Sequence, residues 1–276
     1  MKSIFDPPIV LYVKGTLLPT DTLAIAVVGA RRCSVYGQGQ AERLASGLAR
    51  RGFTVVSGLA RGIDIAAHRG ALRAKGRTLA VLGCGLARVY PPEHKEMAER
   101  IAENGALVSE LPLTAAPQRE VFPARNRLIS GLSLGVVVVE AARNSGSLIT
   151  ARHAMEQGRE VFAVPGQVDS PLNRGTHGLI RDGATLVEDV NDIIRELGPL
   201  SQTIVAEDGE TYDDPRSLNL NEREARVFSQ LSSSPQTIDD LVVALKRPPS
   251  EVGSTLTVLE IKGMVKQLAG KRFVRS

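Results

Sequence analysis

Over the first two hundred residues, short apolar runs alternate with longer stretches whose apolar residues recur at helical spacing. The runs are IAVVGA (25–30), FTVVSG (53–58), TLAVLG (78–83), ALVSE (106–110), GVVVVE (135–140) and EVFAVPG (160–166). Between them lie GQAERLASGLARRG, IDIAAHRGALRAKG and amphipathic segments near 92–104, 123–133 and 147–157. Strands that are apolar on both faces need helices on both faces, so the pattern predicts an α/β domain with a doubly wound parallel sheet. An opening run, PPIVLYVKG, adds an edge strand, because Pro7 and Pro8 suit a strand start but not a central strand.

The last sixty residues follow a different rhythm. NEREARVFSQL, TIDDLVVALK and PSEVGSTLTVLEIKG have helical spacing, with Thr237 placed to cap the second helix ahead of Asp239 and Asp240, and Gly263 to stop the third. MVKQLAGKRFVRS then predicts a hairpin around Ala269-Gly270. Three helices and a hairpin form a winged-helix pattern.

Charge refines the division. The 276 residues carry 34 basic and 30 acidic side chains with 43% apolar residues, an ordinary globular composition. Residues 1–195 have a net charge of +6, 196–216 of −5 and 217–276 of +3. This predicts a large domain over 1–195, an acidic linker over 196–216 and a small domain over 217–276. The apolar runs fall short of the roughly 18–20 residues of a membrane span, and the start shows no basic, apolar leader. The expectation is a soluble, cytoplasmic protein with no membrane partner. Cys33 and Cys84 stand far apart and at no metal-ligand spacing, which predicts free thiols.

Open α/β sheets take ligands at the carboxyl ends of their strands, where helix N-termini present unpaired N–H groups to anions. The loop after the second strand carries Arg31, Arg32 and Ser34, and the next one, Ser57-Gly58-Leu59-Ala60-Arg61-Gly62-Ile63-Asp64, brackets Arg61 with glycines and sets Asp64 to cap or orient it. Asn144–Thr150 places Ser145 and Ser147 at a helix entry, and Arg125-Asn126-Arg127 adds a guanidinium pair. On a helix Arg125 and Arg127 point about 200° apart, so one should line a site while the other pairs with a carboxylate. Together these loops favour a polyanionic ligand. Trp is absent and only Tyr36, Tyr90 and Phe122 lie near them, so phosphate contacts should outweigh stacking.

Other chemistries fit poorly. The dinucleotide fingerprint with its following acid is missing, and so is the P-loop, so no cofactor is expected. Gly131-Leu132-Ser133-Leu134-Gly135 matches a hydrolase elbow, but a helix precedes it and a strand follows, the reverse of an elbow, which puts Ser133 in a helix-end turn. His68, His94, His153 and His177 show no H-E-x-x-H spacing, and no carboxylate pair stands out. No metal site and no catalytic residue is assigned, and the expectation is a protein that is not an enzyme.

In order, VVGARRCSVYG, VVSGLARGIDIAAHRGAL, LGCGLARVYPPEH, FPARNRLISGL, EAARNSGSLITARHA and VFAVPGQ closely resemble the bacterial DNA-processing protein A (DprA, Smf) family over roughly residues 5–195. The tail from 218 to 276 resembles the family's winged helix. The resemblance implies an extended Rossmann-like domain that binds and protects single-stranded DNA without nucleotide hydrolysis and loads RecA recombinase onto it in natural transformation. Arg31 stands in the family's V-G-x-R position and Arg61 in its G-x-x-R-G-x-D loop, both implied to contact DNA, with Arg125 and Arg127 in F-P-x-R-N-R near the same pocket. His177, Ile180 and Leu186 fall on a helix-strand unit through which members self-associate, implying a homodimer. Met155 lies on a surface implied to meet RecA, and single-strand-binding protein is a further implied partner. Many members carry an N-terminal helical domain that this chain, opening at an Asp-Pro-Pro entry, is expected to lack.

Two alternatives stay open. Phosphoribohydrolases of the lysine-decarboxylase-like fold carry P-G-G-x-G-T and then a glutamate, where this chain has Asn144-Ser145-Gly146-Ser147 and no such acid downstream. A winged-helix transcription regulator would need a basic recognition helix, yet PSEVGSTLTVLEIKG offers only Lys262.

Overall fold

The computed structural model describes residues 4–198, 222–231, 235–261, 264–268 and 270–275. The chain forms two compact units, Met1–Ala206 and Glu207–Ser276.

In the first unit one sheet holds eight strands: β1 (Tyr12–Gly15), β2 (Ala24–Val28), β3 (Thr54–Ser57), β4 (Thr78–Val81), β5 (Ala106–Ser109), β6 (Gly135–Val138), β7 (Glu160–Ala163) and β8 (Thr185–Leu186). Their order is β1-β5-β4-β3-β2-β6-β7-β8. β2 to β8 are parallel, as their continuous apolar character predicts. β1 takes the expected edge but runs antiparallel to β5, pairing Tyr12 with Ser109, so the sheet is mixed at that edge.

Seven helices follow the strands: α1 (Val35–Arg50), α2 (Ile63–Arg73), α3 (Lys95–Asn104), α4 (Val121–Gly131), α5 (Ser147–Glu156), α6 (Arg174–Arg181) and α7 (Val190–Leu197). Side chains alternate across the sheet. Ile25, Val27, Val55, Val137 and Phe162 pack on α1, α2 and α7, with Ala80, Leu82 and Leu107 beside them under α3. The opposite parity, including Ala24, Ala26, Val56, Leu79 and Val136, packs on α4, α5 and α6. Both faces are therefore dry, and removing a large side chain such as Leu44 or Phe162 would cost about 2–5 kcal/mol. α4 starts at Val121, two residues before the expected 123, because Pro123 in a first turn needs no backbone donor. α7 runs through buried Leu197, past the expected boundary at 195, while positions 199–216 of the acidic stretch lie outside the described residues.

Strand order reverses around β2, which has β3 on one side and β6 on the other. Their carboxyl ends form the crevice where such sheets take ligands. The chain positions that meet there are 29–34, 58–62 and 139–146.

The second unit holds α8 (Glu222–Gln230), β9 (Gln236–Thr237), α9 (Ile238–Leu245), α10 (Pro249–Ile261), β10 (Val265–Leu268) and β11 (Arg272–Arg275). Thr237 caps α9 as its spacing predicts, accepting from the Asp240 amide while the Asp240 carboxylate accepts from the Thr237 amide at 2.9 Å. β9 pairs with β11, so the expected hairpin is a three-stranded sheet. Its core comprises Val227, Phe228, Leu231, Leu241, Val252, Leu256, Leu259, Val265 and Phe273. Gly263 and Ala269, the expected helix stop and turn residue, lie outside the described residues.

Candidate functional site

The crevice has a buried inner layer and an exposed rim. The inner layer begins with Glu140, which follows β6 and is 1% exposed. Its carboxylate accepts from the Ser34 amide at 2.8 Å and from the Ser34 hydroxyl at 2.5 Å, while Ser34 Oγ accepts from the Gly37 amide at 3.0 Å and so caps α1. A Cβ on Gly37 would sit 2.4 Å from a Glu140 oxygen, so only glycine lets the carboxylate lie against the first turn. The protein's own anion fills the place beside α1 where a dinucleotide fold seats its pyrophosphate. This gives the missing fingerprint a physical counterpart. Ser34, expected to face DNA, is committed to this internal cap.

A second buried group lies behind the loop after β3. Arg125 on α4 is 6% exposed, and its Nη1 donates to the carbonyl of Gly58 at 3.0 Å and to that of Val81. Asp64 is buried beside it and accepts from the Ala60 amide at 3.3 Å. Burial pushes the Asp64 carboxyl up, opposed by the Arg125 charge and the Ala60 and Gly58 amides. Burial likewise pulls the Arg125 guanidinium down to about 10, opposed by Asp64. Asp64 therefore orients the loop as its position predicts, but the cap residue of α2 is Gly62, whose φ of +76° suits glycine and whose Cβ would meet the Ala30 carbonyl at 2.3 Å. Ser57 is fully buried with its hydroxyl donating to Val27 O at 2.7 Å, which corrects its placement on a ligand-facing loop.

Arg127 points away from Arg125, as the 100° step requires, and pairs with Glu110 at 2.8 Å and Asp6 at 3.1 Å. Neither of these two arginines offers a bare charge, which corrects the expectation that one of them lines the site directly. Asn126 bridges α4 to the next loop through Gly146 O, at 3.3 Å. There the hydroxyls of Ser145 and Ser147 bond to each other at 2.8 Å, and Ser147 is buried.

The rim is where charge meets solvent. Arg31, Arg32 and Arg61 are exposed. The Arg31 guanidinium lies 5.1 Å from the centre of the Phe122 ring, and Tyr90 stands 5.8 Å from the same ring. Arg61 sits on a constrained loop in which Leu59 has a left-handed φ of +57°. Its Nε contacts Glu93 at 2.5 Å. Phe122, Glu93 and Glu140 were missed as site residues. Glu140 could have been found as the acid that directly ends the GVVVVE run, whereas Glu93 has no local signal.

The remaining positions are dispersed. Ser133 bonds Ile129 O at 2.9 Å in the turn after α4. His68 is buried with Nδ1 on Thr78 Oγ1 at 2.8 Å, and burial pulls it down to about 3. His177 bonds Gly166 O at 3.1 Å. On the late unit Leu179 belongs to the core, Ile180 is half-buried against it, and Leu186 is exposed at 44% on the edge strand β8. Met155 is exposed on α5. Cys33 and Cys84 are free, and among the described residues no cluster has a metal-ligand composition and no helix is long and apolar enough to cross a membrane.

The family model described as DNA recombination-mediator protein A matches residues 1–198. The chain belongs to this family. The DprA winged helix domain matches residues 213–271. Protein Smf of Escherichia coli (strain K12) is 40% identical over 266 residues, 96% of this chain and 71% of that protein. DNA processing protein DprA of Bacillus subtilis (strain 168) is 46% identical over 198 residues, 71% of this chain and 67% of that one. Among solved structures, DprA from Streptococcus pneumoniae superposes with a TM-score of 0.67 at 44% identity, covering 71% of this chain and 69% of that one. DNA processing protein A from Helicobacter pylori, whose structure describes its single-stranded DNA binding mode, gives 0.66 at 31% identity, covering 74% and 92%. The solved structures agree with the doubly wound unit, and the second family model with the winged helix.

Proposed function

We propose that this chain is a non-enzymatic mediator of DNA recombination that binds single-stranded DNA through the arginine rim of its Rossmann-like unit. The observation that carries the reading is the division of the crevice: Arg31, Arg32 and Arg61 face solvent while Glu140 fills the position beside α1. A ligand that would bury its phosphate beside α1 finds that position taken, whereas a flexible polyanion can lay successive phosphates along the rim. The binding mode described for the Helicobacter pylori relative supports this choice of ligand. The phosphoribohydrolase alternative is disfavoured because the buried acids of the crevice, Asp64 and Glu140, are already engaged in holding loops.

In this reading the protein protects incoming DNA in the cytoplasm and loads RecA recombinase onto it in natural transformation, with the exposed face around Met155 meeting RecA and single-strand-binding protein as a further partner. Two copies associate through α6 and β8, where His177, Ile180 and Leu186 lie. Leu186 is the better probe of that contact, because Ile180 also touches the core. Leu186→Arg should yield a folded monomer by sedimentation velocity. A dimer that persists with unchanged stability removes this face from the assembly.

The binding test is a titration of single- and double-stranded oligonucleotides at several salt concentrations beside a nucleoside monophosphate hydrolysis assay. Steeply salt-dependent preference for single strands without hydrolysis supports the reading, and release of free base overturns it.

A further inference from the structure

Arg61 is the most exposed cation of the glycine-bracketed loop, yet it is not free. Its Nε lies 2.5 Å from Glu93 Oε1, with side chains 57% and 49% exposed. Glu93 stands in a short turn, Pro92–His94, and that turn is fastened to Arg61's own loop by His94 Nδ1 on Leu59 O at 2.9 Å. On the other side the loop is held by Arg125 on Gly58 O and by Asp64 on the Ala60 amide. The backbone therefore keeps the two charges opposite each other, unlike a surface pair between mobile chains. The hydrogen bond with Arg61 holds the Glu93 carboxyl below its usual range, so it is ionised throughout the neutral region.

We propose that Glu93 is an intramolecular competitor for DNA at Arg61 and sets the affinity of the rim. The inference rests on the function proposed above. A phosphate that engages Arg61 either displaces the carboxylate from Nε or binds through the Nη groups beside it, and in both cases it lies close to the negative charge of Glu93. Displacement and proximity each weaken binding relative to a bare arginine, and both are removed by Glu93→Gln, which preserves shape and an acceptor oxygen. Exposed pairs of this kind are weak, so the gain is about two- to five-fold in affinity at low salt. It shrinks as salt screens the pair.

The test is fluorescence anisotropy with a labelled oligothymidylate, using wild type, Glu93→Gln, Arg61→Ala, the double variant, and Glu96→Gln as a neighbouring exposed acid on α3. Expected are tighter binding by Glu93→Gln, a smaller gain from Glu96→Gln, and a gain from Glu93→Gln in the Arg61→Ala background that falls to no more than that of Glu96→Gln. A gain equal to that of Glu96→Gln in the wild-type background, or one that persists undiminished without Arg61, would show a general field effect and overturn the proposal, as would no gain at all. In those outcomes wild type still binds, and the functional reading survives. A wild type that does not bind overturns both. Melting temperatures of the exposed variants, expected to match wild type, confirm that binding is compared between folded proteins.

Discussion

Arg125 and Arg61 stand at the same sheet edge around the same glycine loop and serve opposite ends. Arg125 is dry, with its donors on the Gly58 and Val81 carbonyls and its charge facing Asp64. Arg61 is wet and shares its charge with an equally wet Glu93. The contrast teaches that a cluster of arginines in a candidate site divides by what lies beneath each one. Where backbone carbonyls and a buried acid are within reach, the guanidinium becomes part of the scaffold. Where only solvent and a surface acid are, it remains exchangeable for a phosphate. Glu140 and Glu93 repeat the contrast for acids, the first buried in the α1 cap and the second exposed at the rim.

If this division is right, inner-layer substitutions act on stability and rim substitutions on binding. The largest effect is expected for Arg125→Ala, which leaves Asp64 buried without its cation and should cost about 3–5 kcal/mol in denaturant unfolding. A loss of DNA affinity with unchanged stability would move Arg125 to the rim. Glu140→Ala strands the Ser34 amide and should cost about 1–3 kcal/mol by the same measurement. If the melting curve does not move, the carboxylate is not the cap described.

A smaller effect is expected from His68, whose folded-state pKa of about 3 lies below its ordinary 6.5. Below pH 6.5 the unfolded chain takes up a proton that the folded chain refuses, so stability falls with pH. Between pH 6.5 and 5.5 the loss is about 1 kcal/mol. His68→Asn should lack it, since the amide can still donate to Thr78 without titrating. Comparing the two proteins at each pH isolates His68 from Asp64, whose raised carboxyl acts with the opposite sign. Parallel stability curves would mean that His68 takes up its proton at the same pH in the folded and the unfolded chain, and that its burial does not hold it neutral.

Much of this architecture is legible in the sequence. Continuous apolar strands at regular intervals gave a doubly wound sheet with its loops, and Thr237 ahead of Asp240 marked the start of α9. The direction of β1 was not legible, because an edge strand's partner is set by long-range packing rather than by its own residues. The split between layers was not legible for the same reason. Ser57 and Ser34 look alike as loop hydroxyls, but one is spent on Val27 O and the other on Glu140, contacts that span 30 and 106 positions. The opposition of Arg125 and Arg127 was readable from helix geometry alone, and Arg127 does find its carboxylates. That Arg125 would turn inward was not.

The most direct test of the account is the salt dependence of single-strand binding by wild type, Arg61→Ala and Arg226→Ala, the last on α8 of the other unit. Arg61→Ala should melt with wild type, bind more weakly and lower the slope of log Kobs against log salt by roughly 0.7, the contribution of one phosphate on a single strand, while Arg226→Ala leaves the slope unchanged. Equal slopes for all three proteins, or a wild-type affinity that hardly responds to salt, would contradict the assignment of the rim as the DNA-binding surface.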